Sequence, residues 1–266
     1  MKKTLIVTIF LLGCSLAASA SYITLNNTIT AKTDGKVLNV LVTSINRGDE
    51  SAYNVQAEIR AGGQKLFAEK QQELGVNQIY KGYAGVKLGA LKPGQYPLVI
   101  VMHYTDANQY PFSALNCQTF AYQTAAPPAE IFGGLQSATF WKEGAMKLSL
   151  KNLGAAELLV LTSLVTPREL SVKNEAVKLT LPPKSEKKIV FELANFSALS
   201  GSNYQLFAVS EYEKDGIHYT SISPGVIKIV ETKTVMGVDQ TYIIAGVIVL
   251  ILVFLVFQFG LPAFKQ

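Results

Sequence analysis

Between two apolar runs, 5–12 and 242–259, this chain is written in short segments whose polar and apolar residues alternate. Ala52 to Arg60 puts Tyr53, Val55, Ala57 and Ile59 on one side and polar side chains on the other, the period of two of a half-buried strand. Such runs are bounded by Asp34-Gly35, Gly62-Gly63, Pro93-Gly94, Pro182-Pro183 and Asp215-Gly216, pairs whose backbone preferences suit tight turns. No long stretch between the apolar runs has helical periodicity, so the middle of the chain is expected to be all-β.

The pattern occurs twice. Leu91, Tyr96, Leu98, Val101 and Tyr104 lie 108 positions before Leu199, Tyr204, Leu206, Val209 and Tyr212, and a turn follows in both copies, Asp106-Ala107-Asn108 and Lys214-Asp215-Gly216. An earlier block, Val40 to Gly48, matches Met146 to Gly154 at an offset of 106, so small insertions separate the two blocks. Two tandem domains of about a hundred residues explain this most simply. Several short strands with turns between them fit a two-sheet sandwich of immunoglobulin type. Tyr96, after Pro93-Gly94-Gln95 and at the start of a late strand, suits a tyrosine corner, with Tyr204 its counterpart. The expected organisation is domain 1 at 21–124, a proline-stiffened linker at 125–130 and domain 2 at 131–231.

The apolar runs address both ends to a membrane. Lys2 and Lys3, the run to Leu12 and Ala18-Ser19-Ala20 read as a signal peptide over 1–20. Leu11-Leu12-Gly13-Cys14 resembles a bacterial lipobox, which would lipidate Cys14, but Leu two places before the cysteine is atypical and cleavage after Ala20 is the preferred reading. A juxtamembrane stalk at 232–240 leads to an expected transmembrane helix at 241–260, long enough for ~30 Å of hydrocarbon, and a cytoplasmic tail at 261–266. The span has no ionisable side chain and no paired glycines, so it reads as a tether rather than an ion path or a dimerisation seam. Single-pass attachment to the cytoplasmic membrane, with the bulk of the chain in the periplasm or at the cell surface, follows.

Charge adds little. The formal charge is +5, two of it from Lys2 and Lys3, and the other cations are scattered, so nucleic acid is not an expected partner. Of two cysteines only Cys117 lies beyond the leader; an internal disulfide is impossible there, and a buried apolar role in a strand is expected over an intermolecular bridge. With His103 and His218 the only histidines, no catalytic set, zinc spacing or cofactor motif stands out, and none is expected. Asp106-Ala107-Asn108 lacks the further ligands of a calcium loop and reads as a hairpin turn. Two sequons, at Asn26 and Asn195, matter only in a cell that glycosylates exported chains. Tyr104, Tyr110, Tyr122, Tyr212 and Tyr219 cluster around the last two strands of the copies. An exposed row would stack on sugars or a partner protein; strand alternation equally places them in the core or in cross-strand pairs, the preferred reading.

Asn46-Arg47-Gly48 followed by Ala52-Tyr53-Asn54-Val55 resembles the cell-adhesion-related (CARDB-like) immunoglobulin-like domains of bacterial and archaeal envelope proteins, and is similar in style to the lumenal domain of translocon-associated β subunits. The resemblance covers about half of the first domain. It implies an extracytoplasmic β-sandwich used for binding or spacing, without a shared active site. The expected function is therefore a non-enzymatic, membrane-anchored protein that binds an envelope partner or serves as an accessory subunit. A carbohydrate-binding or adhesion module using exposed tyrosines is the alternative, and an enzyme built on dispersed carboxylates such as Asp106 and Glu211 ranks last.

Overall fold

The computed structural model describes residues 22–125, 127–231, 234–235 and 238–260, the side chains at 232–241 and 256–260 excepted. The expected signal peptide, Cys14 and the tail lie outside the described residues. The chain is mostly β and divides into two compact units, with the boundary between Ala126 and Pro127.

In the first unit one sheet has the order β1-β2-β6, with β1 Leu25–Asp34, β2 Val37–Asn46 and β6 Ile79–Lys87. The second sheet joins β8 (Pro111–Tyr122), β7 (Gly94–Thr105) and β3 (Ala52–Ala61), with the short strands β4 (Gln64–Phe67) and β5 (Gln71–Leu74) sharing the far edge of β3. Alternation buries Leu38, Val40 and Val42 of β2 and Ala84 and Val86 of β6 in one cluster with Val55, Ala57 and Ile59 of β3 and Leu98, Ile100 and Met102 of β7. The two sheets therefore face each other across a common core. Tyr80 of β6 reaches from one to the other: its hydroxyl accepts the Ala57 N–H at 3.1 Å and donates to the Glu69 carbonyl at 2.7 Å.

The face expected for Ala52 to Arg60 needs one correction. Val55, Ala57 and Ile59 point into the core, but Tyr53 is only half-buried and Ala52 takes the inward place. Asn54 has φ +54°, and the register against β7 slips between Tyr53 and Gln56. A bulge inserts one residue and inverts the alternation on its upstream side.

The second unit repeats the plan. One sheet has the order β13-β15-β11-β9, with β9 Ile131–Leu135, β11 Glu143–Asn152, β13 Leu170–Val172 and β15 Glu186–Asn195. The other runs β14-β12-β16-β17, with β12 Leu158–Val165, β14 Ala176–Leu181, β16 Asn203–Lys214 and β17 Ile217–Ile229; β10 (Ala138–Phe140) lies parallel along β17. Met146, Leu148 and Leu150 of β11 are buried, as are Phe191 and Leu193 of β15 and Val160, Leu206 and Ile227 of the facing sheet. A Cβ placed on Gly225 of β17 would meet the Met146 Cε at 3.0 Å, so the sheets are in contact there.

Glu130, expected in the linker, belongs to this unit. Its carbonyl accepts the Leu153 N–H at 2.8 Å, its own N–H donates to the Tyr212 hydroxyl at 2.7 Å, and its carboxylate meets Lys214 Nζ at 2.6 Å. At the other end Val230 N–H donates to the Phe140 carbonyl, and Glu231 N–H to Ser200 Oγ. A short ribbon, Thr234–Val235 with Val238–Asp239, then leads to α1, Gln240–Gly260, of 21 residues. Every described residue of α1, Tyr242 to Leu255, is exposed. Among the described residues no helix is long and apolar enough to cross a membrane.

The two units share one device. Asn46 ends β2 fully buried: its Nδ2 donates to the carbonyls of Glu50 (2.7 Å) and Leu74 (3.1 Å), and its Oδ1 accepts the Gly48 N–H (3.0 Å). Asn152 ends β11 fully buried: its Nδ2 reaches the carbonyls of Ala156 (2.8 Å), Leu181 (3.1 Å) and Pro182 (3.0 Å), and its Oδ1 accepts the Gly154 N–H (2.8 Å). Gly48 is fixed by crowding against backbone, since a Cβ would lie 2.2 Å from the Tyr22 carbonyl oxygen, whereas at Gly154 the close atom, at 2.0 Å, is Glu130 Oε2, the end of a side chain that can shift. Replacing Asn46 or Asn152 by Ala is expected to cost about 2–4 kcal/mol, because buried carbonyls lose their donor. Urea denaturation of the detergent-solubilised chain measures it. Asn46→Asp, which keeps the acceptor and removes the donor, should lose most of the same stability.

Candidate binding surface

The tyrosines weighed as a stacking row or as core and cross-strand residues are built into the fold. Tyr122, Tyr212 and Tyr219 are buried, and Tyr104 and Tyr110 are half-buried. Tyr212 lies opposite Tyr219 in the β16–β17 register, and the rings stack at 5.0 Å with 9° between their planes. Tyr104 lies opposite Phe112 in the β7–β8 register and stacks on it at 5.5 Å, and Tyr110 packs on the same Phe112 at 5.1 Å. Burial of Tyr122, Tyr212 and Tyr219 agrees with the preferred reading of core and cross-strand positions and leaves no exposed stacking row on these three: alternation turns the rings toward the core or toward each other. Burial pushes the Tyr212 hydroxyl up to about 12, with the Glu130 carboxylate and Tyr219 adding to the shift and the bond from the Glu130 N–H opposing it.

Tyr96 and Tyr204 sit at the start of β7 and β16, both buried. The Tyr96 hydroxyl donates to the Lys92 carbonyl at 2.8 Å, whereas the Tyr204 hydroxyl accepts the Leu199 N–H at 3.0 Å. Each ties the strand start to the backbone a few residues upstream.

The remaining candidates are held by neighbours. Asp106 Oδ1 accepts the Tyr110 N–H at 2.8 Å and the Asp106 carbonyl accepts the Gln109 N–H at 3.0 Å, so this carboxylate closes a hairpin. His218 Nε2 lies 3.0 Å from Glu211 Oε1. Among the described residues no group of three or more His, Cys, Asp or Glu converges as a metal site would require. Cys117, expected to be buried, is half-buried on β8. Asn195 donates Nδ2 to the carbonyls of Trp141 (2.9 Å) and Ala198 (3.1 Å), so its amide is engaged, while Asn26 is exposed on β1.

A cluster that the strand pattern did not reveal gathers on the outer face of the first unit's β8-β7-β3 sheet. Glu58, 2% exposed, meets Arg60 Nε at 2.5 Å, Lys65 Nζ at 3.0 Å and His103 Nε2 at 2.8 Å. Phe67 stands beside it, more than half exposed, with Lys65 5.2 Å from its ring centre. Sequence carries a signal for this arrangement. Gly62 and Gly63, both at positive φ, make a two-residue hairpin whose register sets Glu58 opposite Phe67 and Arg60 opposite Lys65.

No family model and no curated protein matches the chain. Among solved structures it is similar to red sea bream transglutaminase (11% identity, TM-score 0.29, over 77% of this chain and 31% of that one). It is similar also to Escherichia coli alpha-2-macroglobulin in its native conformation (10%, TM-score 0.32, 78% and 17%) and to the periplasmic chaperone SfaE (15%, TM-score 0.31, 78% and 100%). The chain thus spans less than a third of the transglutaminase and under a fifth of the macroglobulin. At these TM-scores the likenesses say nothing about activity or partners.

Burial alone would raise the Glu58 pKa, but the hydrogen bonds from Arg60, His103 and Lys65 outweigh it and hold the carboxyl below its ordinary value of 4.5. A depressed carboxyl stabilises the fold above the unfolded-state pKa and loses that contribution as pH falls through the folded one. The stability gap between the native chain and Glu58→Gln is therefore expected to be constant above about pH 5 and to close below 4.5. With the cations half-exposed, the gap at neutral pH is about 1–2 kcal/mol, measured by urea midpoints across pH.

Proposed function

We propose that this chain is a non-enzymatic, membrane-anchored extracytoplasmic protein whose two β-sandwiches, of immunoglobulin type, bind a partner or act as an accessory subunit of an envelope assembly. The observation that carries the reading is α1, where every described residue from Tyr242 to Leu255 is exposed and none is charged. An apolar surface of that kind is not stable in water and calls for lipid or another protein around it. The described side chains of α1 reach over ~21 Å, short of a ~30 Å core, and the reading takes in all of α1, Gln240–Gly260, with the apolar run 242–259.

The immunoglobulin type is supported by the pairing of β1-β2-β6 against β8-β7-β3 and by a tyrosine corner at the start of the next-to-last strand in each unit. The resemblance around Asn46-Arg47-Gly48 agrees with it, although it extends over half a domain only. A binding role is supported by the way titratable side chains are used. Glu58, Asp106, Glu130 and Glu211 each engage cations or backbone N–H groups nearby, which suits a surface that holds its shape.

Carbonate extraction is the direct test. The full chain is expected to stay in the membrane pellet, a chain ending at Glu231 to leave it, and protease added outside spheroplasts to remove both units. Release of the full chain by carbonate, or protection of Tyr96 and Tyr204 from protease, would overturn the reading.

A further inference from the structure

At one end of the second unit an aromatic side chain is pushed into solvent from a backbone that is tightly held. Phe196 is 82% exposed, the largest value among the exposed large apolar residues. Its own N–H and that of Ser197 donate to the Glu169 carbonyl at 2.9 and 3.1 Å. Asn195 locks the loop from inside, accepting the Ala198 N–H at 2.7 Å and donating to the Trp141 and Ala198 carbonyls. Such a display is a property of the folded backbone and not of a loose loop.

The same end carries the exit to α1. Gly201 N–H donates to the Ile229 carbonyl, Val230 N–H to the Phe140 carbonyl and Glu231 N–H to Ser200 Oγ, so the 140–142 turn, the 196–201 loop and the last residues of the sandwich form one pole. Leu199 and Val230 are also exposed there, Trp141 is half-buried, and Lys142 and Arg168 are exposed beside Glu143 and Glu231. From Glu231 to Gln240, the first residue of α1, is nine positions, a tether of at most ~30 Å.

The first unit shows what this pole looks like without those groups. The registers of β6 on β2 and of β15 on β11 set Ala84 against Val40 and Phe191 against Met146, an offset of 107 that pairs Phe196 with Gly89, just past the end of β6. Gly89 is exposed, and a Cβ there would meet nothing within 4 Å. The early offset of 106 pairs Trp141 with Gly35, in the open turn between β1 and β2. The two copies thus differ at corresponding corners, and the large aromatics occur in the copy that leads into α1.

We infer that this pole of the second unit rests in the headgroup region of the bilayer, with Phe196 and Trp141 entering it. The inference depends on the anchor reading above. Aromatic rings are favoured at that depth, Trp141 can keep its indole N–H toward water, and Lys142 and Arg168 suit anionic headgroups. Seating would also restrict how the unit leans on its tether.

Trp141 is the chain's single tryptophan, so its emission reports on this pole alone. The full chain is reconstituted into phosphatidylcholine–phosphatidylglycerol vesicles whose acyl chains are brominated near the headgroup. Emission is expected to fall by about twofold or more against unbrominated vesicles, and Phe196→Asp, still resistant to carbonate, to lose about tenfold in seating and most of the quenching. Phe132→Asp alters an exposed ring paired with Lys151, toward the far end of β11, and should leave quenching intact. Unquenched emission in a carbonate-resistant chain overturns the inference and leaves the anchor standing; equal loss in both variants also overturns it. A chain stripped by carbonate removes both. Phe196→Cys carrying a polarity-sensitive dye gives a second readout: a blue shift in vesicles is expected, and its absence counts against seating.

Discussion

A buried carboxamide at a strand end in each sandwich, Asn46 at the end of β2 and Asn152 at the end of β11, is the contact on which the two folds turn. Where the chain leaves the sheet, carbonyls from separate segments converge on the amide: Glu50 and Leu74 in the first unit, Ala156, Leu181 and Pro182 in the second. An asparagine supplies a two-proton donor for them and an acceptor for the next-but-one N–H from a single short side chain. Aspartate has no such donor, serine only one, and glutamine's longer arm would move the amide away. The glycine that follows lets the turn lie against the preceding segment, where Arg47 N–H meets the Thr24 carbonyl and Leu153 N–H meets that of Glu130. A loop that crosses between sheets is thereby fixed without a disulfide.

This also explains which parts of the fold were legible beforehand. Alternation, turn pairs and the repeat are local properties of the chain, and strand positions, hairpins and the Asn-x-Gly corners follow from them. Directly after Asn152-Leu153-Gly154 the second copy departs from the Ala-Tyr-Asn-Val pattern of the first, yet the same kind of bonds forms. Backbone carbonyls carry half of the device, and they are common to every residue type. The bulge at Asn54 was not legible, because a single positive φ leaves no mark on an apolar pattern and still inverts the faces upstream of it.

Aromatic exposure was the harder question for a related reason. Alternation says which residues share a face and not whether that face is covered. Tyr212 and Tyr219 were grouped correctly as neighbours, but a cross-strand pair at 5.0 Å and an exposed stacking row have the same spacing along the chain. Glu58 shows the reverse case. It falls on the polar side of its strand, as expected, yet is only 2% exposed, and Arg60, Lys65 and His103 gather around it because a Gly-Gly hairpin sets the register. A carboxylate in that position is tolerable only with its cations present, since desolvation opposes its charge.

The duplication gives these differences a direction. Two copies under the same packing constraint keep the residues that constraint needs, as the paired Asn-x-Gly corners and tyrosine corners do. Positions free of it can drift, and drift on a water-facing surface has no reason to replace a turn glycine with tryptophan or an exposed glycine past a strand end with phenylalanine. Both changes raise the apolar area in water and lower solubility. At Gly35 and Trp141, and at Gly89 and Phe196, they occur together, at one pole, in the copy that leads into an apolar helix. An environment less polar than water at that pole would make both changes favourable at once, and on the proposed reading of α1 the tether keeps that pole within reach of lipid.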